Sequence, residues 1–165
     1  MNESEQQLII GRVRAKFAAL GTPLPSGAIT IDHFGDSPEL SAELLALIAS
    51  GKKRGGASLH AAYAIEKLPV PQAGEIRIVL DFKEQPVFVT RNTAADIVPF
   101  HAVGADFAAC EGERDSSLAY WRQAHLNYFT RTSPELGLIF TENMLVVCER
   151  FEVLHAFGQS GKSVR

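Results

Sequence analysis

The chain has 165 residues, 46% of them hydrophobic and 21% charged, which is the size and balance of a single domain able to bury a core. A formal net charge of −3 gives no global attraction to nucleic acid, so any site for an anion has to be local. No apolar run approaches the ~18 residues of a membrane span, and the opening MNESEQQLII is too acidic for a signal peptide, so a cytoplasmic protein without a membrane partner is expected.

Residues 3–20 read as a helix in which Ile9, Val13, Phe17 and Leu20 recur near helical spacing, and Gly21 ends it. TPLPSG is a linker, and AITIDHFGDS is extended, with Ile29 and Ile31 alternating with polar positions. The second helix carries its own boundary signals. Ser37 stands at the N-cap, Pro38 at the first helical position and Glu39 in the first turn, Leu40, Leu44, Leu47 and Ile48 form its apolar face, and Gly51 is its stop. GKKRGG is therefore a helix-exit loop. A mixed segment runs to about Glu66, and KLPVPQAGE is a loop. EIRIVLD alternates as a half-buried strand does, and QPVFVTRNTAADIVPF reads as one or two strands bounded by Pro86 and Pro99. AVGADFAACEGERDSS is helical and then a polar loop. Ser116 or Ser117 caps a further helix, with Leu118, Trp121, His125 and Tyr128 on one face, and TENMLVVCERFEVLHAF is the closing strand. Helices, antiparallel-looking strands and inserted helices favour an α+β fold with a small barrel or curled sheet. GxGxxG and GxxxxGK[ST] are absent, which removes the dinucleotide-binding and P-loop readings.

Several residues could carry chemistry. Lys53, in the glycine-flanked loop, offers a compact positive charge for a phosphate or a developing oxyanion, against the plainer reading of a solvated turn lysine. Ser58 could act as a nucleophile or hold a ligand. Glu111, before a glycine in a polar loop, suits a general base or a partner for Lys53, or is a surface acid. Trp121 and His125 either pack in the core or wall a cleft, where the indole would stack on a base and the imidazole would meet a phosphate. On the closing strand Leu145, Val147, Glu149, Phe151 and Val153 share one face, and Cys148, Arg150 and Glu152 the other. Glu149 is the polar member of an apolar face and needs a partner, with Lys53 and the surroundings of Arg150 as candidates. Cys110 and Cys148 show no zinc spacing and read as two reduced thiols.

With these residues in place, FGDSPELSAELLALIASGKKRGGASL, GEIRIVLD, QPVFVTRNTAADIVPFHAV, FAACEGERDSSLAYWRQAHLNYF and VVCERFEVLH, in order over roughly residues 30–155, resemble an ASCH domain (activating-signal-cointegrator homology) of the stand-alone bacterial type. The resemblance implies a small PUA-like β-barrel with flanking helices forming a cleft. It divides the chain into an N-terminal helix and linker (1–28), the ASCH domain (29–157) and a flexible tail (158–165). It also implies RNA-related work, since such domains are thought to bind RNA, and single-stranded ribonuclease or acetylated-cytidine amidohydrolase activity has been assigned to related proteins. Gly51 and Lys53 match a G-x-K-x-x-[ST]-like stretch, Glu111 matches a carboxylate before glycine, Trp121, Arg122 and His125 match W-R-x-x-H, and Cys148 to Phe151 match C-E-R-F. One departure matters: the hydroxyl expected three residues after the lysine is Gly56 here. Ser58 carries the next one, about 6–7 Å further along a strand, too far for an unchanged amidohydrolase mechanism.

The expectation is thus binding of single-stranded RNA or a nucleotide through a basic cleft centred on Lys53, with Ser58, Glu111, Trp121, Arg122, His125, Glu149 and Arg150 contacting the ligand. The alternative is a hydrolase acting on RNA or on an acylated pyrimidine nucleoside, with Lys53, Glu111 and Ser58 as catalytic residues. It would need no cofactor, unless a ribonuclease form holds magnesium at Glu111. A third reading is a non-enzymatic domain whose cleft takes a peptide. Whether the chain is an enzyme stays open at this level.

Overall fold

A computed structural model of the chain describes residues 1–158. The expected tail, 158–165, lies outside the described residues apart from Gly158. The elements are α1 (Glu3–Ala19), β1 (Ile29–His33), α2 (Pro38–Ala49), β2 (Gly55–Leu59), α3 (His60–Glu66), β3 (Ile76–Leu80), β4 (Pro86–Pro99), α4 (Ala105–Glu111), α5 (Leu118–Thr132) and β5 (Leu145–Ala156), with short 3-10 turns at Phe100–Ala102 and Ser133–Leu136. The fold is α+β. Its five strands form a curled half-barrel sheet in the order β1-β3-β4-β5-β2, flanked by helices. The chain divides into two compact units. One comprises Met1–Leu45, Gly74–Arg91 and the chain from Glu152 on, and the other Ala46–Ala73 and Asn92–Phe151.

In the first unit α1 begins with a capping box, in which Asn2 accepts from the Glu5 amide and the Glu5 carboxylate accepts from the Asn2 amide. Ile9, Val13 and Phe17, one helical turn apart, are buried and cluster with Ile76, Ile78, Leu80 and Val89. Full burial of each such side chain contributes about 1.5–3 kcal/mol. Leu20, expected on this face, is the C-cap and half exposed, since the apolar stripe ends where the helix does. The alternation read in EIRIVLD does not hold. β3 sits between β1 and β4, and all five of its residues are buried, Arg77 included, with Asp32 3.8 Å from its Nε. The strands are not all antiparallel either. β1 and β3 run parallel, which the long connection through α2, β2 and α3 permits. The segment 86–99 is one strand, antiparallel to β3.

In the second unit β2 pairs antiparallel with β5 in the register Gly55↔Arg150, Gly56↔Glu149, Ala57↔Cys148, Ser58↔Val147 and Leu59↔Val146. Directly paired residues share a face, so Leu59, Ala57, Val146 and Cys148 lie on one side. They pack there with Phe100, Val103, Phe107, Trp121 and Phe129, the last three from α4 and α5. Gly56, Ser58, Val147 and Glu149 lie on the other. Ser117, rather than Ser116, is the N-cap of α5, accepting from the Tyr120 amide at 3.0 Å.

Candidate functional site

The helix-exit loop after α2 is closed by its own backbone. Gly51 takes φ +82°, and the amides of Lys52 and Lys53 both donate to the carbonyl of Leu47 at 3.0 Å. The Arg54 guanidinium donates to the carbonyls of Ile48 and Lys53, capping the helix from outside. The loop is then tied to the end of α4: the Arg54 amide donates to the Cys110 carbonyl at 2.8 Å. Gly112, the left-handed C-cap of α4 at φ +66°, lies so close that a Cβ there would stand 2.2 Å from the Lys52 carbonyl oxygen. Only glycine permits both the conformation and the approach.

This closure turns Lys53 inward. Lys53 is 2% exposed, and its ammonium donates to Glu111 Oε2 at 2.7 Å and to Glu113 Oε1 at 2.8 Å. Glu111, also 2% exposed, accepts with its other oxygen from Trp121 Nε1 at 2.9 Å, and His125 Nε2 lies 3.4 Å from that same oxygen. The remaining nitrogen of His125 is 3.0 Å from the Trp121 carbonyl, one helical turn back. The imidazole stacks on the indole at 4.2 Å between centroids, and Phe100 also stacks on it at 5.3 Å. Glu113 is the arm of the cluster that reaches the surface, at 20% exposure.

Burial opposes charge on Lys53 and Glu111, but here it is outweighed. The Lys53 ammonium loses solvent, yet the Glu111 and Glu113 carboxylates raise its pKa above the ordinary lysine value. Burial would push the Glu111 carboxyl up, yet Lys53 and the bond from His125 hold it well below the usual carboxylate range. Both groups are therefore charged at neutral pH. Nearby, the Cys148 thiol is pushed up to about 12, by burial first and then by the Glu111 carboxylate.

The structure thus gathers Lys53, Glu111, Trp121 and His125 into one cluster. Trp121 is 3% exposed and stacked with His125 and Phe100, so it forms an interior wall rather than an open stacking platform. Lys53 is an internal ion and not a solvated basic rim, because one ammonium sits between two carboxylates. The other expected residues lie apart from it. Ser58 Oγ is 2.7 Å from the Tyr63 hydroxyl. Arg122 is exposed and donates to the His101 carbonyl at 3.0 Å. Arg150 pairs with Asp106 at 2.7 Å and lies over the Phe107 ring. Glu149 is buried and accepts from Asn92 Nδ2 at 2.7 Å. Sequence reasoning missed Glu113 and Asn92. The only signal for Glu113 was a second acid two residues beyond Glu111, across the turn-forming Gly112. Among the described residues no group of three or more His, Cys, Asp or Glu side chains is arranged to hold a metal ion, and no helix is long and apolar enough to cross a membrane.

Comparison with known proteins agrees with this architecture. The ASCH domain family matches residues 30–155. The crystal structure of an ASCH domain from Lactobacillus crispatus superposes with a TM-score of 0.76 at 31% identity, over 92% of this chain and 94% of that one. The crystal structure of a protein from Enterococcus faecalis superposes with a TM-score of 0.76 at 28% identity, over 94% and 97%. No functionally curated protein matches the chain. A family match over most of the chain, carried on the same arrangement of strands and helices, places this protein in the ASCH domain family.

Proposed function

We propose that this protein binds single-stranded RNA or a nucleotide, and that the Lys53 cluster holds the binding surface in shape rather than performing proton transfer. The ASCH domain is a PUA-like fold generally linked to RNA binding. The observation that favours binding over hydrolysis is the saturation of the cluster. Glu111 is held far below the working pH and Lys53 above its ordinary value, whereas a general acid or base works best with a pKa near the operating pH. The motif position for a nucleophile is Gly56, and Ser58 is engaged with Tyr63. In this reading the interior ion cluster fixes the loops 51–54 and 111–114, while the exposed cations Lys52 and Arg122 meet phosphates and the partly exposed His125 borders the ligand.

Labelled single-stranded RNA titrated at low and at physiological salt tests this. Binding that weakens steeply with salt, and weakens further in Lys52→Ala/Arg122→Ala, is expected. No binding at low salt overturns the reading. The hydrolase alternative is favoured by one observation: Glu113 reaches solvent, so its displacement by a ligand would bring an incoming group to the Lys53 ammonium. Release of product from RNA or acetylated cytidine, compared with magnesium and with EDTA, decides for it.

A further inference from the structure

We propose that Asn92, held by Glu149, forms a polar subsite on the face of the β2–β5 pair opposite the Lys53 cluster, and that this subsite takes a nucleobase carrying an exocyclic amino group. The inference rests on the nucleotide-binding reading above and deepens it by naming the base chemistry.

Asn92 is 2% exposed and Glu149 is 4% exposed, both within the second unit. Asn92 Nδ2 donates to Glu149 Oε1 at 2.7 Å, which fixes the carboxamide with its oxygen directed away from the carboxylate. That oxygen, Oδ1, is buried and accepts no hydrogen bond. An unfilled acceptor in such a place costs on the order of a whole hydrogen bond, which a donor arriving there would recover. What fills it must donate.

The neighbouring strands place further residues beside this acceptor. Cross-strand pairing places Gly56 directly opposite Glu149 on the same face, with Ser58, bonded to Tyr63, the next residue along that face. β4, β5 and β2 are neighbours in the sheet, so Asn92, Glu149 and Gly56 form a polar row across three strands, about 10 Å wide at ~4.8 Å per strand. Gly56, paired with Glu149, contributes no side chain to the row. An amino N–H of a base donates to Asn92 Oδ1, and the Asn92 N–H in turn donates to Glu149. Such a chain is polarised by the carboxylate at its end, which strengthens the acceptor. A phosphate is the wrong chemistry, since Glu149 would repel it.

The test uses isosteric pairs differing at the amino group: guanosine against inosine, and adenosine against purine riboside, each titrated into the full-length protein, with labelled RNA titrated in parallel. Wild type should bind the amino-bearing member roughly five- to a hundredfold more tightly, since its partner leaves Oδ1 unfilled. The ratio should fall towards one in Asn92→Leu. Should that variant not fold, the Asn92 side-chain amide resonances in wild type give a second readout, shifting with guanosine and not with inosine. Equal affinities within each pair, an unchanged ratio in Asn92→Leu, or unmoved resonances overturn the inference and leave Oδ1 to a bound water. RNA binding without base discrimination sinks this inference and spares the RNA reading. Amino-dependent nucleoside binding without RNA binding does the reverse. Failure of every ligand removes both.

Discussion

Replacing Lys53 with methionine keeps an unbranched apolar stem, one atom shorter, and removes the ammonium with its charge and its bonds to Glu111 and Glu113. At the 2.7 Å of the Lys53–Glu111 contact, an effective dielectric of about 20 gives a gross attraction of about 6 kcal/mol. Desolvation of both groups offsets much of that. What the variant exposes is the cost of a buried carboxylate without its cation, about 3–5 kcal/mol for a pair this buried. At roughly 2–4 °C per kcal/mol for a chain of this size, Lys53→Met should melt about 6–20 °C below wild type at pH 7. The loss has a pH signature. In wild type the Glu111 carboxyl is depressed, so its contribution is present above the unfolded value of about 4.3 and is lost as pH falls towards the folded value. Without Lys53, burial dominates and raises that carboxyl, so the variant takes up a proton on acidification and is relieved. The gap between the two proteins is therefore widest near neutrality and narrows as pH falls through the ordinary carboxylate range. Urea unfolding from pH 7 to pH 4 measures it. A difference below about 1 kcal/mol at pH 7, or one that does not narrow on acidification, refutes the reasoning.

Three further outcomes follow from the same geometry. Gly112→Ala adds a Cβ 2.2 Å from the Lys52 carbonyl oxygen at a left-handed φ; it should cost at least 2 kcal/mol in urea unfolding, where strain at the conformation alone accounts for about 1–2. Trp121→Phe removes the donor to Glu111 Oε1 and should cost about 1–3 kcal/mol beyond the smaller ring, and a double-mutant cycle with Glu111→Leu, which removes the acceptor, should show coupling of at least 0.5 kcal/mol. With its thiol pushed up to about 12 by burial, Cys148 should resist a thiol reagent at pH 8 in the folded protein, while the half-buried Cys110 is modified first; mass mapping of the labelled peptides distinguishes them.

What the sequence disclosed was local. Ser37 and Pro38 at the start of α2, Gly51 after it, and the fourfold spacing of Ile9, Val13 and Phe17 each act over one or two turns of helix, so their meaning survives without the fold. Trp121 and His125 were legible for the same reason, one turn apart on one face. What failed depended on neighbours distant in sequence. EIRIVLD alternates in sequence, yet all five residues of β3 are buried, Arg77 among them, because both faces of this central strand are covered. Glu111 was legible as a candidate partner for Lys53, but the burial of that lysine and its second anchor, Glu113, 60 residues away, were not. Asn92 is one polar residue in a long strand, 57 residues from Glu149. Nothing in either local pattern marks these two as partners.

That distance also frames why the chain keeps charges in its interior. A buried ion pair is often no more stabilising than apolar residues of the same volume, so its retention is weak evidence for a purely structural duty. Lys53→Met/Glu111→Gln separates the two duties. The introduced carboxamide oxygen can still accept from Trp121 Nε1, and no unpaired buried charge is left at that position, so the double variant should regain at least half of the stability lost in Lys53→Met. If the charges served only the fold, RNA affinity would return with stability. If they hold the loops around Gly51 and Gly112 in the geometry a ligand meets, affinity should stay at least tenfold below wild type in a protein that melts normally. We expect the second result. Both loops converge on these two side chains, through the Lys53–Glu111 bond and the close approach of Gly112 to Lys52, and a neutral pair has no reason to keep Glu113 drawn against the cluster.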